Sequence, residues 1–164
     1  VGKSRIGREL ARALMLHFID LDRYIERRTG ISIPDIFRHL GEEAFRRMEK
    51  EAVRELVGKH YVVLSVGGGT FMDAESQKAL LGRGPVVALW ASPETILERA
   101  MRKPGERPLL QVENPLERIR TLLEARAPIY RKAHIHVSTD GRRVEEVVEE
   151  IVEKLWRHAE ARGA

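Results

Sequence analysis

Val1-Gly2-Lys3-Ser4 places a glycine, an ammonium and a hydroxyl at the head of an apolar-periodic stretch, Ile6, Leu10, Ala13 and Leu14. A helix start offers unpaired backbone N–H groups and the positive end of its dipole. This grouping therefore suits an oxyanion: backbone cradles phosphate, Lys3 reaches the terminal oxygens, and Ser4 can hold magnesium. The full phosphate-loop pattern also needs an earlier glycine and a preceding hydrophobic strand, and neither stands in the sequence.

Further on, Asp20-Leu21-Asp22 closes a strand-like run. Alternation along an extended segment predicts both carboxylates on one side. Facing a phosphate loop, one could hold magnesium through water while the other accepts a proton from a hydroxyl nucleophile. The competing reading makes Asp22 the N-cap of the next helix. Tyr61 to Val66 runs into Gly67-Gly68-Gly69-Thr70. Three glycines after an apolar strand give bare backbone for a small polar ligand, beyond what a plain turn requires. Three arginines complete the candidates. Arg46 lies three residues before Glu49 in a helical pattern. Arg107 lies in Glu106-Arg107-Pro108-Leu109-Leu110, beside Lys103-Pro104-Gly105, which reads as a loop. Arg126 closes a long helix near Pro128. The planar fork of arginine matches carboxylates and phosphates, although any one arginine also fits an ordinary surface charge.

Strands and helices must position these groups. The strand candidates are Phe18-Ile19, Tyr61 to Val66, Val86 to Trp90 and Ile135 to Val137. Helical patterns cover Ser4 to Leu16, Asp22 to Arg28 (stopped by Gly30), Ile33 to Leu40, Glu42 to Val57, Ala74 to Leu81, Pro93 to Arg102, Pro115 to Ala127 and Val144 to Ala161. Ser32 and Asp35 form a capping-box pattern, with Pro34 in the first turn. Alternating strands and helices predict an α/β fold: a three-layer parallel sheet with helices on both faces and ligands at the strands' carboxyl ends. A strand before Val1 would be central to that sheet, so the expectation is an N-terminally clipped sequence whose first strand is missing.

At 164 residues the chain suits one domain. It has no cysteine, which excludes disulfides and thiolate metal sites and makes the cytoplasm the default compartment. No apolar run approaches a membrane span. The sequence pI is about 9.6, yet net charge is only +4 and acids intersperse with bases. That pattern argues for solvated helix faces rather than nucleic-acid binding. The six histidines show no metal spacing, Trp90 and Trp156 read as packing residues, and the last helix lacks an apolar seam, which favours a monomer.

Taken together and in order, these motifs resemble the shikimate kinase family. They are Gly2-Lys3-Ser4, Asp20-x-Asp22, Phe45-Arg46-Arg47-x-Glu49, Gly67-Gly68-Gly69, Arg107-Pro108-Leu109-Leu110 and Arg126-Ala127-Pro128-x-Tyr130. The resemblance runs from Val1 to about Val137. It implies a P-loop kinase fold with a five-stranded parallel sheet, like nucleoside monophosphate kinases, and a lid at about 103–113. It implies ATP-dependent phosphorylation of the 3-hydroxyl of shikimate, in aromatic amino-acid biosynthesis, with ATP and Mg2+ as cofactors; charge balance and hydropathy, as above, leave no nucleic-acid or membrane partner expected. By matching positions, Lys3 contacts the transferred phosphate, Gly2 and Ser4 belong to the ATP site, and Ser4 and Asp20 serve the metal. Asp22 holds the reacting hydroxyl and is the candidate base. Arg46 and Arg126 clamp the carboxylate, Gly67 to Gly69 meet the ring hydroxyls, Arg107 stabilises the phosphoryl group, and Arg99 stacks on adenine.

Ser65 stands where many phosphate-loop enzymes carry a metal-binding aspartate, which leaves Asp20 for that role. Rival readings are another small-metabolite kinase, such as a gluconate kinase, and a non-catalytic binding module. A GTPase-like switch would need an Asn-Lys-x-Asp signature, which is absent.

Overall fold

The computed structural model describes residues 2–102 and 113–163. They form two compact units divided between Val86 and Val87.

In the first unit, α1 (Gly2–Leu14) leads into β1 (His17–Asp20), α2 (Leu21–Thr29), α3 (Ile33–Leu56), β2 (Val62–Ser65) and α4 (Ala74–Arg83). α1 buries Ile6, Leu10 and Ala11, so Ala11 takes the inward place expected of Ala13. One turn beyond Ser4, Gly7 faces the ring of Phe18; a Cβ there would lie 2.6 Å from the ring. β1 and β2 pair in parallel, from His17 beside Val62 to Asp20 beside Ser65. Tyr61 lies outside the strand at φ 59°, and Val66 lies just past its end.

Ser32 caps α3 by accepting from the Asp35 N–H at 3.3 Å, with Pro34 in the first turn, as the sequence pattern predicts. The helix breaks at Gly41 (φ 87°), which agrees with two helical patterns split at that glycine. Leu21 and Ile25 of α2 pack with Ile36, Phe45, Ala52, Val53 and Leu56 of α3 in a buried cluster. Seven such side chains supply on the order of 10 kcal/mol of hydrophobic stabilisation, before the entropy of ordering the chain opposes it.

The second unit holds β3 (Val87–Trp90), α5 (Pro93–Met101), α6 (Pro115–Tyr130), β4 (Ile135–Ser138) and α7 (Val144–Ala161). β3 and β4 are parallel, from Val87 beside Ile135 to Trp90 beside Ser138. α7 packs on β4, and Val147, Val148 and Ile151 of the helix and Ile135 and Val137 of the strand are all buried. The Asp140 carboxylate accepts from the Ser92 N–H at 3.0 and 3.1 Å, joining the turn after β4 to the cap of α5. α6 continues through Pro128 to Tyr130, three residues beyond the expected end. Pro128 lacks one N–H and forfeits one helical bond, and the Arg131 N–H still closes on the Ala127 carbonyl at 2.9 Å. No helix among the described residues is long and apolar enough to cross a membrane.

Candidate active site

In the first unit the candidate groups gather where β1 and β2 end. Asp20 terminates β1, and its Oδ1 accepts from the N–H groups of Asp22 (3.0 Å) and Arg23 (3.3 Å), capping α2. Its other oxygen accepts from the Ser4 hydroxyl at 2.7 Å. Asp20 is therefore the cap, which corrects the alternative given to Asp22. The expected geometry also needs correction: Asp22 sits in the first turn of α2, so strand alternation does not place the pair. A strand-to-helix junction does.

The two carboxylates titrate in opposite directions. Burial alone would push Asp20 up, but hydrogen bonds from Ser4, Arg23 and Asp22, with the charge of Lys3, hold it below the usual carboxylate range. Asp22 is raised, chiefly by burial and further by the charges of Asp20 and Glu49, against the pull of Lys3 and Arg23. One group stays anionic beside a hydroxyl, and its neighbour has heightened proton affinity. Such separation of paired carboxylates divides acid–base labour at enzyme sites. The Lys3 ammonium donates to the Val66 carbonyl, which ties the start of α1 to the residue that opens the glycine turn.

Arg46 projects from α3 onto that turn. Its guanidinium donates to Glu49 Oε1 at 2.6 Å. It also lies so close to Gly69 that a Cβ there would stand 2.5 Å from a guanidinium nitrogen. Glu49 is 4 % exposed, and its second oxygen accepts from the Thr70 hydroxyl at 2.7 Å. The chain Thr70–Glu49–Arg46 thus fixes a cation against bare backbone and compensates a carboxylate that would be costly to bury alone. Helical spacing disclosed the Arg46–Glu49 pair. Thr70 gave no local signal, because its partner lies 21 residues away.

Ser4 and Asp20 supply hard oxygen donors side by side, one of them anionic. That set fits magnesium, which takes few protein ligands and keeps several waters. The buried Ser65 hydroxyl beside Asp20 in the register has no hydrogen-bond partner among the described residues. Among the described residues no cluster of three or more His, Asp or Glu side chains could hold a metal.

The second unit holds Arg99 and Arg126. Arg99 donates to the Thr139 hydroxyl (3.1 Å) and carbonyl (3.2 Å). Arg126 hydrogen-bonds the phenol of Tyr130, whose pKa burial nonetheless raises. Tyr130 in turn stands edge-on to Trp90 with ring centroids 6.0 Å apart. Arg107 and nearly all of the expected lid lie outside the described residues.

The family model described as shikimate kinase matches residues 1–156. A shikimate kinase of Thermus thermophilus is 98% identical over 164 residues, covering 100% of this chain and 89% of the relative. One from Deinococcus radiodurans is 53% identical over 163 residues, covering 99% of this chain and 82% of the relative. The structure of shikimate kinase from Acinetobacter baumannii in complex with shikimate superposes with TM-score 0.88 at 39% identity, covering 96% of this chain and 88% of that one. The chain belongs to the shikimate kinase family and has its α/β P-loop kinase fold.

Proposed function

We infer that the protein transfers the γ-phosphoryl group of ATP to the 3-hydroxyl of shikimate, giving shikimate 3-phosphate and ADP. The observation that carries this reading is the Asp20–Asp22 pair, split in proton affinity and set beside Lys3 and Ser4. Asp22 accepts the hydroxyl proton as the oxygen attacks phosphorus. The new O–P bond forms as the bond to the β-phosphate oxygen breaks, and ADP leaves with those electrons. A raised carboxylate suits this transfer, since its proton affinity approaches that of the group it serves.

Lys3 exchanges the Val66 carbonyl for phosphate oxygens, and the start of α1 adds backbone donors from Gly2 onward. Ser4 and Asp20 would hold magnesium, which neutralises phosphate charge when bound. Arg46, prepositioned by Glu49, takes the shikimate carboxylate, while the backbone of Gly67 to Gly69 meets hydroxyl oxygens. Roles for Arg99 at adenine, Arg107 at the phosphoryl group and Arg126 at the carboxylate rest on the family's motifs alone. An arginine beside the transferring group is typically worth about 10³–10⁵ in rate. A single-domain organisation, a lid at 103–113, a monomeric state and a cytoplasmic location belong to the same proposal.

The test is ADP formation by protein carried at the full length of its relatives, with shikimate supplied or withheld. Turnover that requires shikimate and ATP together supports the reading. A folded protein that hydrolyses ATP equally without shikimate, or phosphorylates only another alcohol, overturns it.

A further inference from the structure

The hydroxyl of Ser65 is the one buried side-chain polar atom among the described residues that has no hydrogen-bond partner. The residue closes β2 and is 7 % exposed. Thr70 and Thr139 are buried too, but their hydroxyls are engaged: Thr70 donates to Glu49 at 2.7 Å, and Thr139 donates to the Trp90 carbonyl at 3.1 Å. A hydroxyl taken out of water with nothing to bond destabilises a fold. Alanine would fill the same place without that cost. The oxygen therefore calls for a partner that arrives with a ligand.

Its surroundings identify that partner. Ser65 pairs with Asp20 across the parallel β1–β2 register, and residues paired in register project to the same face. On that face the Asp20 carboxylate accepts from the Ser4 hydroxyl of α1 at 2.7 Å, and α1 packs on both strands. Lys3 donates to the carbonyl of Val66, the next residue along. Ser65 thus stands with the oxygen donors that fit magnesium. That ion keeps several of its waters when bound to protein. Each such water spends a lone pair on the metal and retains two protons to give, so it needs acceptors. A serine oxygen is one.

We propose that Ser65 is a positioning residue of the magnesium site, its Oγ accepting a hydrogen bond from a metal-bound water, so that the ion is oriented from β2 as well as from β1. The inference rests on the reading of Ser4 and Asp20 as the pair that would hold the ion. It extends to β2 a task that the sequence reading gave to Ser4 and Asp20 alone. A second carboxylate at this position would stand opposite Asp20 and repel it. A hydroxyl supplies the acceptor without the charge.

Manganese(II), whose binding is read directly by EPR, tests the role in protein carried at the full length of its relatives with ADP bound. Ser65→Ala should weaken Mn2+ binding about tenfold, as loss of a group that orients a metal's ligands does. The variant should bind ADP without metal as the parent does. Its metal-free melting temperature should match or exceed the parent's, because it loses only an unpartnered hydroxyl. Ser4→Ala is the reference for the ion's own site. If Ser4→Ala weakens Mn2+ binding and Ser65→Ala does not, the proposal falls while the metal site stands. If neither variant changes Mn2+ binding, the assignment of the metal to Ser4 and Asp20 falls with it. A Ser65→Ala protein that melts lower and loses metal-free ADP to the same degree would make the serine structural and overturn the proposal.

Discussion

At the scale of single residues, Asp22 has opposite effects on turnover and stability. Burial and neighbouring carboxylates raise its proton affinity, which favours proton transfer and penalises the folded state whenever the group is ionised. A raised folded pKa means the penalty is absent in acid and fully present above that pKa. Asp22→Asn should therefore lower kcat by about 10²–10⁴ while raising the melting temperature near pH 7, with the gain fading toward pH 3. Steady-state kinetics and thermal melts over that range check both halves. A variant with near-normal turnover would remove Asp22 as the base. Gly69 offers a different separation. The Cβ of Gly69→Ala would meet the tip of Arg46, a flexible group that can retreat at little cost to the fold. The expected outcome is a higher KM for shikimate with the KM for ATP nearly unchanged, and a melting temperature close to that of the parent. If ATP suffers instead, Arg46 does not serve the carboxylate.

At the scale of elements, the Thr70 hydroxyl joins the turn after β2 to α3 through buried Glu49. Thr70→Val keeps the volume and leaves a carboxylate oxygen without its donor, at a cost of about 1–3 kcal/mol. Denaturant unfolding should show that loss, and the shikimate KM should rise as Glu49 releases Arg46. Thr70→Ser restores the hydroxyl and should recover both values. Recovery of stability without recovery of KM would make Thr70 merely structural. Much of this scale was legible in advance because its signals are local: the Ser32 cap, Gly30 closing α2, and the apolar period of α1. Three features were not. α6 passes Pro128 because one missing bond near a helix end is tolerable. Asp20 rather than Asp22 caps α2 because the strand ends at Asp20, two residues earlier than alternation assumed. Thr70 was invisible because its partner is distant in sequence.

At the scale of the whole molecule, acid should unfold the protein through a small set of lowered carboxylates. Asp20, Asp73 and Asp140 are each held below the usual range by hydrogen-bond donors that outweigh burial. A lowered folded pKa contributes stability above the unfolded value of about 3.9 and loses it as pH falls through the folded value. Melting temperature should therefore drop steadily below about pH 4, and Asp20→Asn should flatten that drop while Asp22→Asn steepens it. A pH–stability curve identical in the two variants would refute these assignments. The fold class was readable from alternation of strands and helices, and the family from six motifs in sequence order. What the motifs could not show is that Thr70 braces the carboxylate of Glu49, which in turn holds Arg46.

The contact between Gly7 and Phe18 gives the molecule a mechanical gauge. Gly7 stands one turn from Ser4, and Phe18 stands two residues from Asp20, so the ring seated against bare backbone indexes α1 along β1. A methyl group there pushes the helix off its mark and opens the 2.7 Å spacing between the Ser4 hydroxyl and Asp20. Gly7→Ala gains helix propensity, about 1 kcal/mol in an open helix, yet should raise the magnesium concentration needed for half-maximal turnover. A residue that meets no ligand would then calibrate the metal site, as a shim sets the gap between two working faces.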